Sequence, residues 1–230
     1  NYSFIFNILL YVIILLPLSL YFVLCLENQV ESKSDNSNKK TIFFIWPLLI
    51  FLLALISMAN ALTEGSVDAW GALYMRDFIQ VDGFFIGLAT LSFNIFMVMG
   101  RLSGDWVRDK IGVFYLIFFL FLSTIVSLVI LANFNNIIIA IIGFSLLGIG
   151  ASSIVPIAYS LAGKIEGIDS GVGITIISIA VYGTFIGAPA TLGFIANTYG
   201  INNIFVPMLV IFVILIVPIV FYRNNFSLKN

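Results

Sequence analysis

Seven apolar runs, each near the ~20 residues that span a hydrocarbon core, follow one another along this chain with short polar gaps between them. They cover residues 4–26, 42–63, 84–102, 113–132, 137–163, 172–196 and 204–222. Backbone inside lipid must satisfy its own hydrogen bonds, which leaves helices and closed barrels as the only spanning structures. Runs of this length are too long for barrel strands, so the expected fold class is an all-α membrane protein with seven transmembrane helices. The residue content agrees: 61% of the 230 residues are hydrophobic and only 9% are charged, too apolar for a soluble domain of this size.

The same content removes several function classes. A net charge of -1 gives no basic footprint for nucleic acid. Histidine is absent, which takes away the commonest general base and metal ligand. The single Cys25 can form neither an internal disulfide nor a thiolate metal site. No phosphate-binding glycine-rich motif with Lys-Ser/Thr is present, and no Ser/His constellation lies within the membrane runs, so neither an enzyme nor a cofactor or metal site is expected. The first run lacks a basic flank and a small-residue cleavage site, so it is not read as a signal peptide.

Lysine and arginine set the expected orientation. Lys33, Lys39 and Lys40 fall in the first gap; Arg101, Arg108 and Lys110 in the third; Lys164 in the fifth; Arg223 and Lys229 in the tail. The other gaps hold only Arg76. That alternation places Asn1 outside and the C-terminus in the cytoplasm.

Polar groups inside the runs are the candidate chemistry. If the second helix continues past Thr63, Asn60, Glu64 and Asp68 share one face at i, i+4 and i+8. A carboxylate at the membrane edge faces either a water-filled pathway or simply the outside solvent. On the first reading Glu64 is a proton or substrate group. Trp70 and Tyr74 read as interfacial aromatics. Asn94 lies in mid-span, where an amide either bonds a neighbouring helix or lines a pathway. Ser153, Pro156 and Tyr159 belong to a small-residue stretch in which Pro156 frees a backbone carbonyl and bends the helix beside a cavity. Tyr159 presents its hydroxyl to that cavity or to a backbone group. Tyr182 lies near mid-membrane, just before Gly183, Gly187 and Pro189, which are expected to give close packing and a second bend.

Residues 100–112 hold five charges between two apolar runs and read as a short cytoplasmic loop. In it Asp105 is expected to accept hydrogen bonds from the start of the sixth span at Gly171-Val172-Gly173. Arg108 and Lys110 would pair with Asp109 or lipid headgroups. Gly104, Asp105, Arg108, Lys110 and Gly112 thus form a candidate latch on one conformation.

The Arg101…Gly104-Asp105…Gly112 pattern resembles the loop signature of the major facilitator superfamily. Glu64-Gly65…Asp68-Ala69-Trp70…Ala72-Leu73-Tyr74…Arg76-Asp77 is similar to the start of the C-terminal half in a bacterial subgroup of inner-membrane sugar transporters near the fucose permeases. Ile154-Val155-Pro156…Ser160-Leu161-Ala162-Gly163 and Tyr182-Gly183…Gly187-Ala188-Pro189-Ala190…Gly193-Phe194-Ile195-Ala196 fit it too. The resemblance implies helix six followed by the six-helix C-terminal bundle of a twelve-helix transporter. Residues 1–26 would be the last helix of the N-terminal half, 27–41 the central cytoplasmic linker, 42–222 the transport bundle and 223–230 the tail. The chain would then be the back half of something longer, whose partners are a small solute, the lipid bilayer, and an N-terminal bundle in cis or as a partner half. Arg101 stands where the signature usually has glycine, Trp106 where it usually has a basic residue, and Ser153 where relatives often carry asparagine. The implied activity is secondary transport of a small polar solute, sugar-like and proton-coupled in some relatives. The competing reading from the seven-span count alone is a seven-helix receptor.

Overall fold

The computed structural model describes residues 48–165 and 168–221. The chain divides into units of residues 1–40 and 41–230, and every element below belongs to the second. The first apolar run with Cys25, the linker at 27–41 and the tail at 223–230 lie outside the described residues, as do Lys33, Lys39, Lys40, Arg223 and Lys229.

All described secondary structure is helical: α1 (Leu48–Asp77), a 3-10 turn (Gly83–Gly87), α2 (Leu88–Ile111), α3 (Val113–Asn133), α4 (Ile137–Ala151), α5 (Ile154–Ala162), α6 (Ser170–Tyr199), a 3-10 turn (Ile201–Ile204) and α7 (Phe205–Phe221). They make six segments long and apolar enough to span a membrane, with α4 and α5 acting as one broken span, Ile137–Ala162. The chain is a multi-pass membrane protein.

Local chemistry sets the ends. Gly112 at φ 86° ends α2 and opens α3, and Gly200 at φ 94° ends α6; both conformations suit a residue without Cβ. Asn136 caps α4 by accepting from the N–H groups of Ile138 and Ile139, and Asp169 caps α6 by accepting from Gly171 and Val172.

Two boundaries differ from the sequence reading. Residues 100–111 are not a loop: they are the last three turns of α2, because nothing before Gly112 breaks the helix. The helix of the second run does not stop at Thr63; α1 is 30 residues long. Gly65 and Gly71 do not interrupt it, since each sits in a close contact, with Phe185 of α6 and with Ala89 of α2.

Small residues bring the helices together. A Cβ on Gly148 would lie 2.2 Å from the Phe93 carbonyl of α2, and one on Gly150 would lie 2.1 Å from the Thr124 hydroxyl of α3. A Cβ on Gly173 would lie 2.5 Å from the Ala162 carbonyl, which locks α6 against α5. Such approaches replace the missing hydrophobic drive between helices in lipid with packing. Gly183 and Gly187 behave otherwise: nothing among the described residues lies within 4 Å of a Cβ there, so the close packing expected at these two positions is not found. Tyr74 is not interfacial either. It is fully buried, with its ring against Phe78, Phe144 and Phe205.

Candidate functional site

The break between α4 and α5 organises the polar residues of the bundle. Pro156 has no N–H to give the carbonyl of Ser152 four residues earlier, and its ring crowds that carbonyl. The helix opens at Ser152 and Ser153 and resumes when Ile157 N–H reaches Ser153 O. Two neighbouring helices supply donors to the opened turn. Asn60 of α1 donates from Nδ2 to Ala151 O at 3.2 Å, and Arg101 of α2 donates from Nε to Ser152 O at 3.1 Å. The freed carbonyl expected from Pro156 is thus present, and an arginine holds it.

Glu64 faces the same seam. Arg101 Nη2 lies 3.7 Å from Glu64 Oε1. Glu64 sits about 20 Å of helix from Asp77 and about 24 Å from Leu48, so it is at mid-helix rather than at the membrane edge. About 15 Å of helix separates Arg101 from Ile111. Charges at such depth are costly in lipid and are placed towards a partner or a wet cavity. Here the two ions face each other, with their side chains 46% and 24% exposed.

The remaining candidates fall around this pair. Asn60 is buried, and its Oδ1 finds no partner among the described residues. Asp68, one turn beyond Glu64, is exposed. Asn94 is half-buried on α2 and donates to Thr90 O of its own helix at 2.9 Å, so it does not tie two described helices together. Ser153 is buried against α2, its hydroxyl 3.5 Å from Gly100 O. Tyr159 and Ser178 have hydroxyls 3.2 Å apart and join α5 to α6. Tyr182 is 65% exposed on α6, one turn from Phe185, which packs on Gly65 of α1. The two prolines differ: the span breaks ahead of Pro156, whereas α6 runs continuously through Pro189.

The candidate latch has another geometry than expected. Asp105 is 83% exposed and pairs with Arg108 of its own helix at 2.9 Å. The N–H groups of Gly171 and Val172, its expected partners, are taken by Asp169, a stronger local cap two residues away. Arg108 also reaches Asp109 at 3.4 Å. Lys110 sits 3.8 Å over the Trp106 ring, so the aromatic in place of the usual basic residue has a cation to hold. Gly104 fits under Ser153, and Gly112 ends the helix.

From sequence, Arg101 reads as a topology charge and a departure from the signature glycine; the structure gives it the Ser152 carbonyl and Glu64 as partners. That departure, three turns inside what proved to be helix, was its signal.

No family model matches the chain. Among curated proteins it is 28% identical over 181 residues to membrane protein MosC of Rhizobium meliloti, covering 77% of this chain and 44% of that one. It is 28% identical over 160 residues to an uncharacterised MFS-type transporter of Yersinia pestis, covering 70% and 41%. An uncharacterised transporter of Sinorhizobium fredii is 26% identical over 148 residues. The solved peptide transporter POT in complex with alafosfalin superposes with a TM-score of 0.70 at 20% identity, over 83% of this chain and 43% of that one. In sequence the chain is similar to MFS-type and other membrane transporters, and its fold matches that of the solved peptide transporter. The chain spans less than half the length of the curated relatives it matches.

Proposed function

We propose that the chain forms the C-terminal six-helix bundle of a secondary transporter, preceded by helix six and the central linker, and that it moves a small polar solute by alternating access. The observation that carries this reading is the Glu64–Arg101 pair, held at mid-helix depth with both side chains partly exposed. A charge pair inside a span marks a solute or ion pathway by default. Two bundles rocking around a midplane site would expose that pair to one side at a time, with the second bundle supplied in cis or by a partner half. Asp68, Asn94 and Tyr182 would line the same route. A sugar-like solute fits the hydroxyls and amides, and proton coupling would run through Glu64, the carboxylate at mid-depth. The lysine and arginine distribution supports an outside N-terminus and a cytoplasmic C-terminus in a bacterial inner membrane, with Arg108 and Lys110 at the cytoplasmic end of α2.

The test is solute counterflow in proteoliposomes holding the protein expressed from its own gene, against a panel of labelled sugars, sugar acids and amino acids. The reading expects saturable exchange of at least one class, and at least about tenfold slower exchange in Glu64→Gln and Arg101→Gln, about 1.4 kcal/mol of barrier. Exchange indifferent to both substitutions would contradict it.

A further inference from the structure

We propose that Arg101 anchors the carboxylate of an acidic solute, and that Glu64 is the resting counter-ion which this carboxylate displaces; the inference rests on the transport reading above. It comes from what Arg101 does not bind. A guanidinium has five N–H donors. Nε is spent on Ser152 O, and one Nη2 direction meets Met97 Sδ at 3.3 Å. Glu64 Oε1 stands at 3.7 Å, beyond hydrogen-bond reach. Nη1 makes no hydrogen bond among the described residues.

A structural ion pair within a membrane would close to ~2.8 Å and become bidentate, since this is where the guanidinium–carboxylate fork recovers the cost of desolvation. Here the backbone carbonyl at the Pro156 break fixes the arginine by one edge and leaves its outer edge open. Glu64 is near enough to neutralise the charge and too far to saturate it.

The open edge has room beside it. Arg101 lines a cavity of about 170 Å³ together with Gly104, Asp105, Arg108, Ser153 and Pro156. Asp105 is the one carboxylate among these lining residues, and Arg108 holds it at 2.9 Å. Arg101 is thus the cation of the cavity with no hydrogen-bonded carboxylate. Gly104 lets α2 approach Ser153 at the wall of this cavity: a Cβ there would lie 2.5 Å from Ser153 Oγ. A carboxylate entering the cavity finds the planar two-donor edge of the guanidinium. A neutral sugar offers no charge to replace Glu64 and leaves the guanidinium as under-satisfied as before.

The experiment uses acetate as the minimal carboxylate and acetamide as its neutral isostere, so it does not require the transported solute to be known. The protein is placed in phosphatidylcholine nanodiscs, which carry no net anionic headgroup, and labelled with phenylglyoxal, which modifies free guanidinium groups. Mass spectrometry reads the rate at Arg101 and at the exposed Arg76. The expected result is that acetate slows labelling of Arg101 about threefold at twice its half-protecting concentration, that acetamide does not, and that Arg76 is unaffected. Glu64→Gln is expected to label faster and to keep the protection by acetate.

Equal rates in acetate and acetamide would overturn the proposal. So would an Arg101 that stays unlabelled in Glu64→Gln while Arg76 reacts, the mark of a sealed structural pair. Protection by added phosphatidylglycerol matching that by acetate would assign the cavity to a lipid headgroup and overturn it too. Neutral-sugar counterflow with no acetate protection would leave the transport reading standing and remove the acidic solute. Acetate protection without flux of any solute would do the reverse.

Discussion

Two regions of this bundle hide polar side chains in the membrane, and they treat them in opposite ways. On the α3 side every buried hydroxyl is matched. Ser123 donates to Leu146 O, Ser127 to Gly143 O, and Thr124 to Leu120 O. Tyr74 donates to Leu131 O at 2.9 Å, a carbonyl in the last turn of α3 that no helical N–H serves. Phe121 on Phe212 and Phe144 on Phe205 close the rest. On the seam between α1, α2 and the α4–α5 break, the polar groups are more strongly charged and less complete. Asn60 Oδ1 is buried without a partner among the described residues, and Glu64 and Arg101 stand 3.7 Å apart. The contrast teaches that polarity inside a membrane bundle is not itself a sign of function. Hydroxyls that bond a carbonyl one turn back or across a tight crossing are packing devices. Groups held in the membrane with capacity left over are the ones available to a solute.

The largest expected effect breaks the sealed side. Gly148→Val would push a Cβ into the Phe93 carbonyl, which is backbone and cannot step aside. Overpacking of this kind is expected to cost about 3 kcal/mol, read as loss of the monodisperse peak after detergent extraction. A folded variant of native thermal stability would show that α2 and α4 are not in fixed contact.

Tyr74→Phe is smaller and sharper. It removes one hydroxyl and leaves the Leu131 carbonyl buried without its donor. A loss of about 1–2 kcal/mol is expected in the unfolding midpoint, with solute exchange unchanged. A loss of exchange at unchanged stability would move Tyr74 from the sealed region to the pathway.

The smallest effect is expected at Asp105→Asn. Its pair with Arg108 lies at the surface, where such contacts contribute about 0.5 kcal/mol or less. Stability should hardly change, and any loss of exchange would then report a role for Asp105 in a conformation other than this one.

Much of this frame was readable from the chain, because length and apolarity are what a bilayer selects. The third to seventh apolar runs correspond to observed spans, and the first lies outside the described residues. The Pro156 break was readable because proline's effect on the carbonyl four residues back is local chemistry. What was not readable depended on contacts between helices. Arg101 looked like a loop charge because charge density suggests an exposed turn, yet helices continue through charges until a glycine such as Gly112 ends them. Asp105 looked like a cap for α6, but Asp169 lies next to those N–H groups in sequence. Tyr74 looked interfacial because its ring partners, Phe144 and Phe205, are far away along the chain.

Water access tests the central claim most directly. In a Cys25→Ser background, cysteines placed at Asn94 of α2 and Tyr182 of α6, the two proposed pathway positions, and at Ser127 on the sealed side would be exposed, in bilayers, to a membrane-impermeant thiol reagent that reacts only from water. The account predicts labelling at 94 and 182 and none at 127. Silence at both pathway positions, or equal labelling at all three, would contradict a pathway along α1, α2 and α6.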